Sequence, residues 1–521
     1  MRKLVVADSV HTAGGIAGNA VLIEKGAVLA VGSHNELGAG SLHEERYPGA
    51  TIVAGLRDAH IHPVSYAALL AGTQLMDASD LHEVKARLRV AADASPGPVI
   101  AMRLDDESLA EGRLPTRRDL DAAVADRPVL VHRYCGHVAI GNSAALALAG
   151  VDAGTCDPAG GTIDRDPDGV PNGVLRETAI ELVSTKLKGA AAVSGDDLLA
   201  ALRGLAGLGI TSIGAMLGLG DGPWASLGDE VSLFAEISRA LPIRVHAFVI
   251  TADPVELDDA AGRLDGAVGR RLRWAGVKRF ADGSLGGHTA AMYESFADRP
   301  DTGTMRLTDA DRAVARHAIA AGGIAAIHAI GDRAASSVLD LFEEMVLEGA
   351  DPRRMRLEHA SVLTRDDIAR IGRLGIVVCV QPAFLGSEWQ WLEKRVGRSR
   401  LATTYPFAAL EETGAILAGG SDCPVESPDP LSGIALARDR AGIVPAESLS
   451  AERALEMFTT GGAAALGELV PWSPGSAADL AVLDVNPVLA TPDEVRAATV
   501  IDTYVDGEPV DVDRSLSTWP E

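Results

Sequence analysis

Eight short apolar runs, each followed by a stretch with helical spacing, constrain this chain more than any other feature. They are TIVAGLRDAHIHP (51–63), GITSIGAM (209–216), IRVHAFVI (243–250), LRWAGVKRFADGS (272–284), GIAAIHAIGD (323–332), RMRLEHAS (354–361), GIVVCVQPAF (375–384) and GAILAGGSDCP (414–424). Near-continuous Val, Ile, Leu and Ala suits strands buried on both faces of a parallel sheet. Intervening segments such as ADRAVARHAIAAG and RAASSVLDLFEEMVLEG carry the apolar spacing of amphipathic helices. Alternating strands and helices imply parallel pairing, and eight units predict an α/β fold, the (β/α)8 TIM barrel. Chemistry in such barrels sits at the C-terminal strand ends, so the strand list doubles as a map of candidate site positions.

Both chain ends read differently. KLVVADSV and NAVLIEKGAVLAVGS near the start, and ADLAVLDVNP and ATVIDTYVDGEPVDV near the end, are strand and turn patterns, with Gly26 and Asp506-Gly507 as turn signals. They predict a small β-sandwich domain assembled from residues 1–50 and 470–521, leaving 51–469 for the barrel domain. Residues of about 70–195 separate the first two barrel strands by far more than one helical return. That stretch holds PVIAMRL, RPVLVHRYCGH and the turn-rich GTCDPAGGTIDRDPDGVPNG. It predicts a subdomain inserted after the first strand, placed to cover the barrel mouth.

Composition narrows the class. The 521 residues carry 47 Lys+Arg against 72 Asp+Glu, a net charge of −25 at pH 7, with 47% hydrophobic and 23% charged residues. That is enough apolar material for a large core, and it excludes disorder as the main theme. The negative charge disfavours nucleic acid as a partner. No apolar run reaches the length of a membrane span, and the N-terminal apolar stretch, broken by Asp8, is too short for a secretory leader. Cys135, Cys156, Cys379 and Cys423 form no C-x-x-C, which argues against a thiolate zinc site or a disulfide framework and suits a reducing cytoplasm. The expectation is a cytoplasmic protein acting on a small-molecule substrate, with a homodimer as the default assembly on general frequency.

The chemistry begins at Asp58-Ala59-His60-Ile61-His62-Pro63. Residues i and i+2 of a strand point to one side, so His60 and His62 can share one ion. Alone, H-x-H is equally readable as two structural histidines. Lys278 stands inside an apolar strand of a chain with only seven lysines against forty arginines. Burial favours its neutral amine, which can add carbon dioxide to give an anionic carbamate able to bridge two metals; the competing reading is a lysine snorkelling to the rim. His328 ends the fifth strand, His359 the sixth and Asp422 the eighth. Metal-competent side chains at the same end of several strands make a metal site the favoured reading.

The order His60-x-His62, Lys278, His328, His359, Asp422 resembles the amidohydrolase superfamily. The fuller context resembles its amidohydrolase-3 (YtcJ-like) branch, which includes N-substituted formamide deformylase. GLRDAHIHP, GHVAIGNSAAL, PNGVLRETA, GVKRFADGSLGGHTAAM, IHAIGDRA, RLEHAS and GSDCPVESPDPL carry the likeness, which spans nearly the whole chain. The resemblance implies a metal-dependent TIM barrel with a sandwich built from both termini. It implies one divalent metal on His60 and His62, a second on His328 and His359, a bridging carboxylated Lys278, and Asp422 on the first metal; a single ion is the alternative. Zinc is the default, with iron or manganese as alternatives. Cys423 stands after Asp422 where the branch commonly has tryptophan, and Cys135 precedes Gly136-His137 where it usually has aspartate.

The implied reaction is hydrolysis of a C–N bond (amide, N-formyl or cyclic amide) by a metal-bound hydroxide, with Asp422 as general base. Asp422, Lys278 and His328 are the catalytic candidates. His137, Arg333 and Trp389 are candidates for substrate contact, each with a structural alternative. His246 and His132 read as core or supporting histidines, and Trp391 as either pocket wall or loop packing. The alternatives are a mononuclear deaminase of a heterocyclic amine, an esterase or lactonase, or a non-catalytic relative.

Overall fold

The computed structural model describes residues 2–38, 43–94, 96–106, 108–133, 138–158, 161–187, 193–219 and 228–512. The chain falls into two compact units, one of Met1–Pro63, Leu199–Leu219 and Val231–Trp519, the other of Val64–Leu198, Gly220–Glu230 and Pro520–Glu521.

In the first unit the eight apolar runs form one parallel sheet. Its strands are β1 (Leu56–Ile61), β2 (Ile210–Gly218), β3 (Arg244–Ile250), β4 (Leu272–Phe280), β5 (Ile324–Ala329), β6 (Met355–His359), β7 (Val377–Val380) and β8 (Ile416–Gly419). Each strand lies beside its predecessor in chain order, the arrangement right-handed crossovers produce when every strand is followed by a helix. The sheet is stitched shut just past its last strand: Asp422 N–H donates to the His60 carbonyl at 2.7 Å, and His62 N–H donates to the Cys423 carbonyl at 2.8 Å.

The crossover helices follow from their sequences. Thr308 caps the helix Asp309–Ala320 in a reciprocal box with Asp311. The helix Asp332–Leu347 buries Ala335, Val338, Leu339, Phe342 and Met345, the i, i+3, i+4, i+7 stripe that faces a sheet.

Residues 51–63 are not one strand. The strand His43–Ala54 belongs to a second sheet, and β1 begins two residues later. Gly55 makes the changeover where a Cβ would sit 2.3 Å from Thr211 Oγ1. The apolar run is continuous because both sheets bury it.

That second sheet joins the chain ends. Its order is Glu508–Pro509, Val500–Val505, Leu480–Leu483, His43–Ala54, Arg2–Thr12, Gly15–Glu24, Ala27–Gly32. Ala27 bridges back to Ala477, so the sheet rolls upon itself. Alternation in Arg2–Thr12 sends Val5 and Ala7 into a cluster with Ile52, Leu480 and Tyr504, and Leu4 and Val6 into another with Ala20 and Leu22. The two hairpin turns hold Lys25-Gly26 and Asp506-Gly507 at positive φ, as type I′ turns demand. Arg244, on a barrel strand, reaches Asp479 at 2.7 Å and also pairs with Asp506, while Arg271 reaches Asp506 at 3.0 Å.

The other unit has its own sheet, ordered Gly161–Arg165, Pro171–Glu177, Val138–Gly141, Val129–Arg133, Val99–Leu104, Thr73–Gln74. Its core includes Leu88, Leu104, Leu120, Val131, Ile140 and Val174. Among the described residues, no helix is long and apolar enough to cross a membrane.

Candidate metal centre

Three of the expected ligands converge at the stitched rim. His60 Nε2 lies 3.3 Å and His62 Nε2 3.2 Å from Asp422 Oδ1, and ligand atoms of the three fit within 4.8 Å of one another. Alternation along the strand puts His60 and His62 on one side. Asp422 is turned toward them by a left-handed backbone at φ +59°, a conformation an ordinary residue adopts at some cost. Burial pushes the Asp422 carboxyl up, but the charge and hydrogen bonds of His60 and His62 outweigh it and hold it well below the usual range. Burial lowers the His62 imidazole more than Asp422 raises it.

The remaining three sit around this group. Lys278 Nζ is 3.3 Å from His60 Nε2 and 4.4 Å from the centre of the Phe280 ring. Lys278 is almost fully buried, and burial brings its amine down to about 8 despite Glu358 and Asp422. The His359 ring is 4.9 Å from that of His60 and 4.4 Å from that of His328. Strict alternation would aim Glu358 and His359 to opposite sides; φ of +69° at His359 swings its ring back toward His60. Burial first, then the neighbouring His328, holds the His359 imidazole well below its ordinary value. His328 donates its Nε2 proton to the Gly283 carbonyl at 2.9 Å, leaving Nδ1 with the lone pair.

The donor set fits a divalent ion because each central imidazole has its second nitrogen pinned. His60 Nδ1 donates to Glu358 Oε2 at 2.6 Å, and His359 Nδ1 donates to Gln381 Oε1 at 2.7 Å. Each Nε2 is therefore the nitrogen left to face a metal. Glu358 is paired in turn with Arg356, and both are fully buried. Burial alone would raise Glu358, but Arg356, His60 and Lys278 keep it ionised, far below the usual range. Asp58 accepts from His60 N at 3.1 Å, Ser421 N at 3.0 Å and Ser421 Oγ at 2.5 Å. Asp282 accepts from Ala291, Ile330 and Gly331 N–H, which orders the loop after β4 whose Gly283 carbonyl meets His328. Sequence reasoning assigned no role to Asp58, Glu358, Arg356 or Gln381. Asp58, two residues before His60 on the same strand, carried the one available signal.

Cys379 also comes within ligand distance of His60 and Glu358. Both partners are already engaged with each other, and burial drives its thiol well upward, so it remains protonated and a poor ligand. Cys423 is fully buried beside the rim. Arg333 opens the helix after β5, its N–H 2.8 Å from the Asp332 carboxylate, which also accepts from Tyr293 N–H. Trp389 is 50% exposed at the end of the helix Phe384–Glu388. Trp391 packs against the barrel core beneath the Arg395 guanidinium. Phe384 is stacked on the His359 ring at 6.0 Å. His246 is a buried polar-network residue between Glu468 and Arg273. In the other unit, burial lowers His132 to about 4. His137 lies outside the described residues.

A parallel barrel whose C-terminal rim gathers imidazoles and a carboxylate defines the class of metal-dependent, amidohydrolase-type hydrolases. Residues 48–511 match the amidohydrolase family, and the chain belongs to it. It is 33% identical to Protein LONG AFTER FAR-RED 3 of Arabidopsis thaliana, over 94% of this chain and 88% of that one. It is 27% identical to N-substituted formamide deformylase of Arthrobacter pascens, over 94% of both chains. An uncharacterized metal-dependent hydrolase from Pyrococcus horikoshii OT3 superposes with a TM-score of 0.76 at 27% identity, covering 95% of this chain and 99% of that one.

Proposed function

We propose that this protein hydrolyses a C–N bond in a small amide, N-formyl compound or cyclic amide. His60, His62 and Asp422 would hold one divalent ion, zinc by default. His328, His359 and a carboxylated Lys278 would complete a second position. The observation that carries this reading is the meeting of the His60, His62 and Asp422 ligand atoms within 4.8 Å at the barrel rim.

An ion bound there supplies Lewis acidity, acidifying water and polarising a carbonyl oxygen. The rest falls to the chain. His60 and His359 would turn Nε2 to the ion, because Glu358 and Gln381 accept hydrogen bonds from the Nδ1 side of each ring. Asp422, kept ionised, accepts the proton of the attacking water on a carboxylate oxygen and passes it to the leaving nitrogen. The depressed amine of Lys278 is the form that adds carbon dioxide. Formamides head the substrate panel because of the likeness to N-substituted formamide deformylase. A one-ion deaminase acting on a heterocyclic amine is the second reading, favoured by a His60, His62, Asp422 group complete without Lys278.

Metal content and native mass of protein purified with zinc and bicarbonate separate these readings. Two ions, plus an adduct of one carbon dioxide that Lys278→Ala removes, are expected; one ion and no adduct selects the deaminase reading. Asp422→Asn is expected to retain zinc at least in part and lose turnover by roughly 10²–10⁴. Turnover close to wild type would remove Asp422 from the reaction.

A further inference from the structure

The two pinned imidazoles are pinned by different chemistry. His60 Nδ1–H donates a hydrogen bond to a carboxylate, Glu358, which a fully buried Arg356 keeps in place. Arg356 is fixed by its own bond to the Ala465 carbonyl at 3.1 Å and by lying 4.2 Å over the Phe248 ring. His359 Nδ1–H donates a hydrogen bond to a neutral amide, Gln381, whose nitrogen faces Cys379 Sγ at 3.9 Å. An imidazole hydrogen-bonded to a carboxylate is a stronger donor at its other nitrogen than one bonded to an amide. The remaining ligands lean the same way: His60 and His62 meet the Asp422 carboxylate, while His328 Nε2–H donates to a neutral backbone carbonyl, that of Gly283.

We propose that Glu358 is a positioning residue that sets metal affinity through His60, so that the first ion to bind enters the His60, His62, Asp422 group and the His359 side, pinned by Gln381, loads second and more weakly. The proposal rests on the metal-site reading above and adds an order of binding. Glu358 is 298 residues from His60 in sequence and touches that ring and Arg356 directly, with Cys379 alongside. Its contribution is to hold one tautomer and one ring orientation before the ion arrives.

The test is zinc titration of chelator-stripped full-length protein against a chromophoric competitor, without any substrate. Glu358→Gln should weaken the tighter class of zinc by 10–100-fold and leave a weaker class unchanged. Gln381→Leu should do the reverse. Because Glu358→Gln leaves Arg356 buried without its partner, the double variant Arg356→Met/Glu358→Gln is measured alongside; it removes both charges and should show the same loss of tight zinc at near-native melting temperature. Tight binding unchanged in a folded Glu358 variant, or lost in Gln381→Leu instead, would overturn the assignment. No zinc bound to wild type would overturn the underlying metal reading as well, and that failure is distinct because it precedes any variant.

Discussion

Asp58 shows how much of this site depends on residues that never touch an ion. Its carboxylate accepts three hydrogen bonds, one from His60 N and two from Ser421, at the point where the first strand meets the loop after the last. Removing it leaves three buried donors without an acceptor. Asp58→Ala should cost about 3 kcal/mol in urea unfolding of metal-free protein and lower zinc occupancy at limiting zinc. Asp58→Asn keeps an acceptor oxygen and should fall between Ala and wild type. Equal stability of Asp58→Ala and wild type would show that the three bonds contribute nothing net.

At the scale of elements, the site is a property of how β8 ends against β1. Gly420 is the spacer there: a Cβ would lie 2.8 Å from His60 Cβ and 2.9 Å from His60 N. Gly420→Ala must move one strand end away from the other, carrying Asp422 from His60. The overpacking cost should be about 1–3 kcal/mol, while zinc affinity should fall by a factor larger than that seen for an alanine placed at a surface glycine such as Gly262, where nothing lies within 4 Å. The strand periods made each barrel strand readable, yet this contact was not, since neither GGSD nor DAHIH states which residue it will abut. The break at Gly55 was hidden for a related reason: two sheets bury one unbroken apolar run, so no polar residue marks the passage between them.

Across the whole molecule, the sheet built from both termini is coupled to the barrel through Arg244, Arg271, Asp479 and Asp506. Burial pushes Asp506 up, but Arg244 and Arg271 outweigh it and leave its carboxyl below the ordinary value. A depressed folded value means the stabilisation is complete above the unfolded aspartate pKa of about 3.9 and is lost as pH falls through the lower folded value. The net charge of −25 works against this, since acid relieves self-repulsion everywhere. The difference between wild type and Asp506→Asn isolates the single group. Chemical-denaturation midpoints should differ most at neutral pH and converge below about pH 3.9; a gap independent of pH would dismiss the ion pairs as the source of coupling.

What the sequence determined by itself was everything written in near neighbours. Apolar runs of strand length, helical spacing between them, turn residues at Gly26 and Asp506-Gly507, and histidines at strand ends follow from periods of two and 3.6 residues. Those periods pointed to the barrel class and to five candidate ligands, together with Lys278, at one rim. Only the tertiary structure decided which groups hold them. Glu358 reaches His60 across 298 residues and Ser421 reaches Asp58 across 363, through barrel closure and strand register that no local pattern records. The left-handed turns at His359 and Asp422 belong there too, because a backbone strained locally persists only where distant packing over-determines it.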